Sequence, residues 1–234
     1  MKMKKIAAAV LGSSLGLSAV PSFAAKTAIL KVYMDAPVPQ ACDITLNGQR
    51  TASAQLGRVD FSQPDTIMSR DVRVQIRCNE NRVAKLRLSD DRLGTIDPGS
   101  IPSEEELAQL DVNIEAPQQY FMFSQRGARQ FGGFYEMTSS NWTYRVEDPA
   151  SKEIGEPAAA IMVDSANNQL NALDKLARDT GYAFISDTEN ADPNQSVSAK
   201  IFEGVLTVQS KARRVLQRAR GQLNGQVKLE ASYL

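Results

Sequence analysis

The chain closes with the sequence GQLNGQVKLEASYL, which covers residues 221–234. Every odd position from 221 to 233 is apolar or glycine, and every even position from 222 to 232 is polar. Successive side chains of a β-strand point to opposite faces, so this pattern predicts a strand with one buried face. Alternation alone fits the closing strand of any sandwich.

Similar runs precede it along the chain. The clearest cover residues 30–34, 72–78 and 84–88, and shorter candidates lie at 56–61, 120–123, 142–146, 158–163 and 201–208. Turn-forming residues such as Asn47-Gly48 and Asp97-Pro98-Gly99 separate several of them. Many short strands with regular turns predict an all-β sandwich.

Two helical pieces are expected between the strands. Ser103 and Glu106 have the spacing of a capping box ahead of Leu107 and Leu110. The stretch 167–180 places Leu170, Leu173 and Leu176 at helical spacing, and Gly181 would end that helix.

Composition excludes several classes of function. Lys plus Arg and Asp plus Glu both number 27, and this balance argues against a nucleic-acid binder. The absence of histidine excludes a Ser–His–Asp triad, a Cys–His pair and a histidine metal site. Two cysteines are too few for a zinc–thiolate site. We therefore expect no catalytic residue, no bound metal and no cofactor.

The first 24 residues have the pattern of a secretory signal peptide. Lys2, Lys4 and Lys5 precede an apolar run, and Ser22-Phe23-Ala24 offers small residues for cleavage. The alternative, a membrane anchor, is disfavoured because the run is shorter than the ~20 residues that a spanning helix needs. Export permits a disulfide between Cys42 and Cys78, the alternative being two free thiols.

The order of motifs resembles subunits of chaperone–usher fimbriae. Gly221 stands fourteenth from the end and Tyr233 is penultimate. An alternating N-terminal segment precedes Cys42, and Leu56-Gly57 and then a strand ending in Cys78 follow it. The resemblance covers roughly residues 25–90 and 200–234. The segment at about 95–195 matches nothing in the pattern and is interpreted as an insertion, as in the kappa-class fimbriae.

The resemblance implies an incomplete immunoglobulin-like sandwich, the pilin fold, with short helical insertions. Residues 36–234 would form one domain that lacks its last strand. A periplasmic chaperone would fill the gap first, and the N-terminal extension of the next subunit, residues 25–35, would then replace it at the outer-membrane usher. Head-to-tail donation gives an open polymer on the cell surface.

Two sets of residues would carry this exchange. In the donor strand, Leu30, Val32 and Met34 would enter pockets and Ala28 a shallower one. The alternative register, which uses Ile29, Lys31 and Tyr33, would bury a lysine and is disfavoured. In the C-terminal strand, the face read by the chaperone and the donor would comprise Gly221, Leu223, Val227, Leu229, Ala231 and Tyr233, with the carboxylate of Leu234 as a charge partner.

Three other functions remain open at this stage. An adhesive subunit could bind host glycans through Trp142 and Tyr144, although a buried strand aromatic is the commoner reason for such residues. A stand-alone periplasmic sandwich would close its own sheet. A secreted enzyme is disfavoured because no nucleophile motif is present.

Overall fold

A computed structural model describes residues 27–35, 42–90, 97–110, 112–124, 130–164, 166, 168–171, 173–188, 192, 195–217 and 222–233. For residues 27–30, 35 and 98 only the backbone is described. The predicted signal peptide, Gly221 and Leu234 lie outside the described residues. The fold is almost entirely β and sandwich-like, as the alternation predicts.

The described strands are numbered in chain order. They are β1 (Thr27–Asp35), β2 (Cys42–Leu46), β3 (Thr51–Asp60), β4 (Ile67–Ser89), β5 (Tyr120–Ser124), β6 (Phe131–Arg145), β7 (Ala158–Val163), β8 (Gly181–Ser186), β9 (Ser198–Lys211) and β10 (Gln222–Tyr233). One α-helix, α1 (Glu104–Gln109), and short 3-10 turns at Pro98–Ser100 and Ala212–Arg214 complete the described elements.

The strands form two hydrogen-bonded groups that share β4 and β7. One group runs β2, the first half of β4, β9, the second half of β6, and β7. The other runs β3, β1, β10, the second half of β4, β8, and β7. Strand β5 joins β10 to the first half of β6. Because β4 belongs to both groups and β5 links β6 to β10, the two faces enclose one core.

Alternation places the core residues where the sequence predicts them. In β4, Val72, Val74 and Ile76 are buried in the first half, and Leu86 and Leu88 are buried in the second. Side chains from both groups of strands belong to one hydrophobic cluster. Aromatic rings fill its centre, including Trp142, Phe184 and Phe202, whose neighbouring ring centroids lie 4.7 and 4.9 Å apart.

The capping box is confirmed and the second helix is wrong. The Ser103 side chain accepts a hydrogen bond from the Glu106 amide, and the Glu106 carboxylate accepts one from the Ser103 amide. Between 168 and 180, by contrast, the described residues form turns and isolated bridges. Here Asp164 accepts bonds from the Ala166 and Asn168 amides, and Asp174 accepts one from Asn171. Such short polar side chains compete with the helical backbone bonds.

The segment at about 95–195, interpreted from sequence as an insertion, supplies strands β5 to β8. These strands pair with β10, β9 and β4, and their inward residues join the common cluster. The expected strands at 120–123, 142–146, 158–163 and 201–208 correspond to β5, β6, β7 and β9. The segment therefore belongs to the body of the sandwich.

Candidate functional site: the slot between β3 and β10

The N-terminal strand β1 lies between β3 and β10. It runs parallel to β10, from Ile29 opposite Gln222 to Asp35 opposite Lys228. It runs antiparallel to β3, from Thr27 opposite Asp60 to Asp35 opposite Thr51. The segment interpreted from sequence as a donor strand thus fills, within its own chain, a slot that two other strands border. We call this space the β1 slot.

The described side chains of β1 alternate between core and surface. Val32 is 0% exposed and Met34 is 1% exposed, whereas Tyr33 on the opposite face is 37% exposed. Lys31 is half-buried. These positions follow the register that keeps Lys31 out of the core. The side chains of Ala28 and Leu30 lie outside the described part, and only their backbone partners are known.

The other wall of the slot is β10, and most of its predicted apolar face is buried. Leu223, Val227 and Leu229 are each 0% exposed, and Ala231 is 8% exposed. Tyr233 departs from this face because it is 37% exposed, and the Arg82 guanidinium lies over its ring. Only β4 is paired with this end of β10 in the described residues, so the last ring can reach solvent.

Sequence reasoning missed the importance of Gly225 in this wall. A Cβ atom at Gly225 would lie 2.3 Å from the Tyr135 ring, so no other residue fits without displacing that side chain. Tyr135 itself is fully buried and stacks on Tyr120 at 5.4 Å. A glycine on the inward face of a strictly alternating strand was the available signal, because it indicates a close approach from the facing layer.

The disulfide lies beside the slot and is confirmed. Cys42 and Cys78 are register partners in the β2–β4 ladder, and their sulfur atoms are bonded. Both residues are buried. The bridge fastens β2 to β4, and β2 leads directly through the Asn47-Gly48 turn into β3. The strand that precedes the β3 border of the slot is therefore covalently fastened to β4.

A buried carboxylate on β6 fixes the chain around the far side of the core. Glu136 is 3% exposed and accepts hydrogen bonds from Arg214 at 2.6 Å and Lys175 at 2.8 Å. These partners hold the 3-10 turn after β9 and the irregular loop before β8 against β6. The arrangement is an ion-pair network that positions backbone, because a buried carboxylate between two cations is already neutralised.

Three acidic groups, two between β6 and β7 and one directly after β7, have pKa values lowered by their local partners. The Lys200 ammonium, which donates a hydrogen bond to Glu147, is the main cause of a lowered pKa of that carboxyl. Backbone amides of Ser151 and Ala150 lower the pKa of Asp148, and Asn168 lowers that of Asp164. Burial raises the pKa of Tyr120 well above its usual value near 10. Burial or a neighbouring hydrogen-bond partner accounts for the direction of each of these pKa shifts.

Trp142 and Tyr144, the residues of the possible glycan contact, are largely withdrawn from the surface in this structure. Trp142 is 4% exposed and lies against Gly204, where its ring occupies the space of a missing side chain. Tyr144 is half-buried, and its hydroxyl is 3.1 Å from that of Ser186. The two aromatic residues therefore form no exposed platform for a sugar.

Chemical sites are few in the part of the chain that the structure describes. It contains no group of three His, Cys, Asp or Glu residues arranged to hold a metal. Its helices include none long and apolar enough to cross a membrane. A surface hollow of about 620 Å³ includes Arg73, Asn141 and Glu203, but Gln75 and Arg145 already contact that carboxylate. Neither a protein-family model nor a curated protein matches the sequence.

Proposed function

We propose that this chain is a structural subunit of a chaperone–usher fimbria that polymerises when β1 of one copy enters the β1 slot of another. The supporting observation is the position of β1, a terminal strand that completes a sheet between two walls belonging to the rest of the chain. An incomplete immunoglobulin-like sandwich is the fold that this proposal requires once β1 is removed.

An empty slot would be energetically costly. Without β1, the backbone groups of Gln222–Lys228 and of Thr51–Asp60 would lose their ladder partners. Buried backbone groups that lack partners destabilise a fold, and an open apolar edge promotes aggregation. The core would also lose Val32 and Met34, which are fully buried. The slot must therefore be filled by some strand at every stage.

The same strand from a neighbouring copy would satisfy the slot equally well. Its backbone and side chains are identical, so exchange keeps the contacts and changes only the connection through residues 36–41. The effective concentration of each donor and the strain in the connection then decide between intramolecular and intermolecular pairing. A periplasmic chaperone that holds the slot open would bias the outcome toward exchange, and an outer-membrane usher would deliver the next subunit.

A stand-alone exported sandwich is the second candidate. It is favoured by the fact that β1 fills the slot of its own chain, as a self-closed domain requires. In that case β1 is an ordinary structural strand and the protein is a stable monomer. The two candidates differ in one measurable respect, which is whether β1 ever pairs with β3 of another molecule.

Paired cysteine variants test this difference. Tyr33 and Ser53 are direct partners in the β1–β3 ladder, and both are exposed. Two full-length variants, Tyr33→Cys and Ser53→Cys, are co-expressed with export and carry tags of different size. Exchange predicts a disulfide-linked heterodimer on a non-reducing denaturing gel. The matched control replaces Ser53→Cys with Ser151→Cys in an exposed turn on another part of the surface.

The control sets the level of random cross-linking. The proposed function expects the 33–53 heterodimer in clear excess over the 33–151 product, and both single variants should retain the native Cys42–Cys78 bridge. Equal yields from the two pairs would contradict exchange and would leave the stand-alone sandwich as the better account.

A further inference from the structure

We infer that β3 selects the register of the strand in the β1 slot by residue size, and that a β-bulge at Leu56 and Gly57 aligns this selection. Where the strand comes from another copy, the inference rests on the proposed function. The occupant is residues 27–35 of this chain or of a second copy. The inference makes Ala52 and Ala54 the residues that determine specificity.

Two inward pairs of the β1–β3 ladder match a large residue with a small one. Val32 stands opposite Ala54, and Met34 stands opposite Ala52. Farther along, where only the backbone of β1 is described, Leu30 is the register partner of the exposed Gly57, and Ala28 is the partner of Val59. Val32, Ala54 and Val59 are all 0% exposed, so this part of the ladder is closely packed. Close-packed interiors respond to changes of a single methyl group.

The bulge makes this arrangement geometrically consistent. The pairing shifts between Leu30 and Lys31, so that Leu56 on β3 has no register partner on β1. Gly57 has φ of +108°, a conformation that favours glycine. As a result, Ala54 and Leu56 face the core on one side of the bulge and Val59 faces it on the other. The buried positions of β3 therefore shift by one residue at the bulge.

Shifted registers lose this match. A slip of one residue would turn Lys31 inward and Val32 outward. A slip of two residues keeps the faces but brings Leu30 opposite Val59 in one direction. In the other direction it brings Lys26 opposite Val59, which is 0% exposed. The observed register places neither Leu30 nor Lys26 opposite this buried valine.

A size exchange across the ladder tests the selection within one chain. Val32→Ala and Ala54→Val swap the two facing side chains, one leaving a cavity and the other overfilling the site. We expect each single substitution to lower the thermal unfolding midpoint by several degrees, and the double variant to recover at least half of the combined loss. The mismatched double Met34→Ala with Ala54→Val should recover much less.

A second set of single and double variants, at Met34 and Ala52, covers the case in which Ala54→Val fails to fold. Ala52 is half-buried, so Ala52→Val has more room there, and Met34→Ala is its matched partner. Recovery confined to matched pairs supports the inference. If the double variants show only the sum of the single losses, or if mismatched pairs recover equally, size selection by β3 is wrong.

Cross-linking separates this inference from the proposed function. The Tyr33→Cys donor is made with and without Val32→Ala, and the Ser53→Cys acceptor with and without Ala54→Val. We expect the acceptor with Ala54→Val to form several-fold more heterodimer with the Val32→Ala donor than with the unmodified donor. If even the unmodified pair yields only control levels, exchange fails, while the thermal cycles still decide whether β3 selects by size. If heterodimers form but the Ala54→Val acceptor shows no preference between the two donors, size selection by β3 is wrong and the proposed exchange still holds.

Discussion

Single residues show why burial could be predicted from the sequence at some positions and not at others. The alternation of β4 and β10 is local, so burial of Val74, Leu86 or Val227 could be predicted from neighbouring positions. The burial of Trp142 depends on Gly204 in a different strand, which leaves room for the indole ring. No local pattern contains that information, so the alternation around Trp142 could not show that the ring is buried.

The pairing of Gly204 with Trp142 gives a sharp prediction. A Cβ at Gly204 would lie 2.2 Å from the indole ring, so Gly204→Ala should destabilise the protein by about 1–3 kcal/mol through overpacking. The midpoint of urea unfolding measures this change. Gly181→Ala is the control because a Cβ there meets no atom within 4 Å. Equal midpoints for the two variants would contradict the packing described.

The acidic groups near Glu147 predict a loss of stability in acid. Their pKa values are lowered in the folded chain, so their contribution is fully present above the unfolded values, near 4.5 for Glu and 3.8 for Asp. It is lost as pH falls through the lower folded values. Lys200→Met removes the main cause of the lowered pKa of Glu147. The stability of this variant should therefore fall less steeply with acid than that of the unmodified protein. Chemical unfolding at pH 7, 4.5 and 3 compares them.

At the scale of elements, strands were predictable and their partners were not. Period-two alternation located β4, β9 and β10, whereas β8, with the sequence GYAFIS, lacks strict alternation and was missed. The expected helix at 167–180 had helical spacing of leucines but also Asn and Asp residues that form local turns. The sequence also could not show that β4 belongs to both groups of strands, because this depends on pairing with strands far away in the chain.

The bulge in β3 predicts a conformational cost for one substitution. Gly57→Ala meets no atom within 4 Å, so any loss must come from the positive φ. We expect a loss of about 1–2 kcal/mol in the free energy of unfolding, with faster hydrogen exchange of β1 amides. Gly181→Ala again serves as the control. A Gly57→Ala variant as stable as the parent would show that the bulge imposes no constraint.

The disulfide predicts a larger effect at the β2–β4 ladder. The bridge closes a separation of 36 residues, and its removal by Cys42→Ala with Cys78→Ala should cost ~2–4 kcal/mol. Urea unfolding of the double variant, set beside the reduced parent protein, measures the loss. The reduced parent should resemble the variant. A double variant that unfolds at the parent midpoint would contradict a stabilising role.

At the scale of the whole molecule, the occupant of the β1 slot is the central question. The sequence predicted a terminal alternating strand with Val32 and Met34 inward, and the resemblance implied that a neighbouring subunit receives it. In the structure β1 fills the slot of its own chain, and identical chains offer identical slots. The connection through residues 36–41 and the concentration of neighbours decide between a closed monomer and an open chain of subunits. Head-to-tail pairing has no geometric reason to stop at two copies.

One chain that carries both Tyr33→Cys and Ser53→Cys tests this directly. Exported under oxidising conditions, it forms its cross-link wherever β1 lies when folding is complete. On a non-reducing denaturing gel, exchange predicts a ladder of covalent multimers that collapses to one band on reduction. A single band at the mass of one chain, with the 33–53 bond confirmed inside it, would contradict the account.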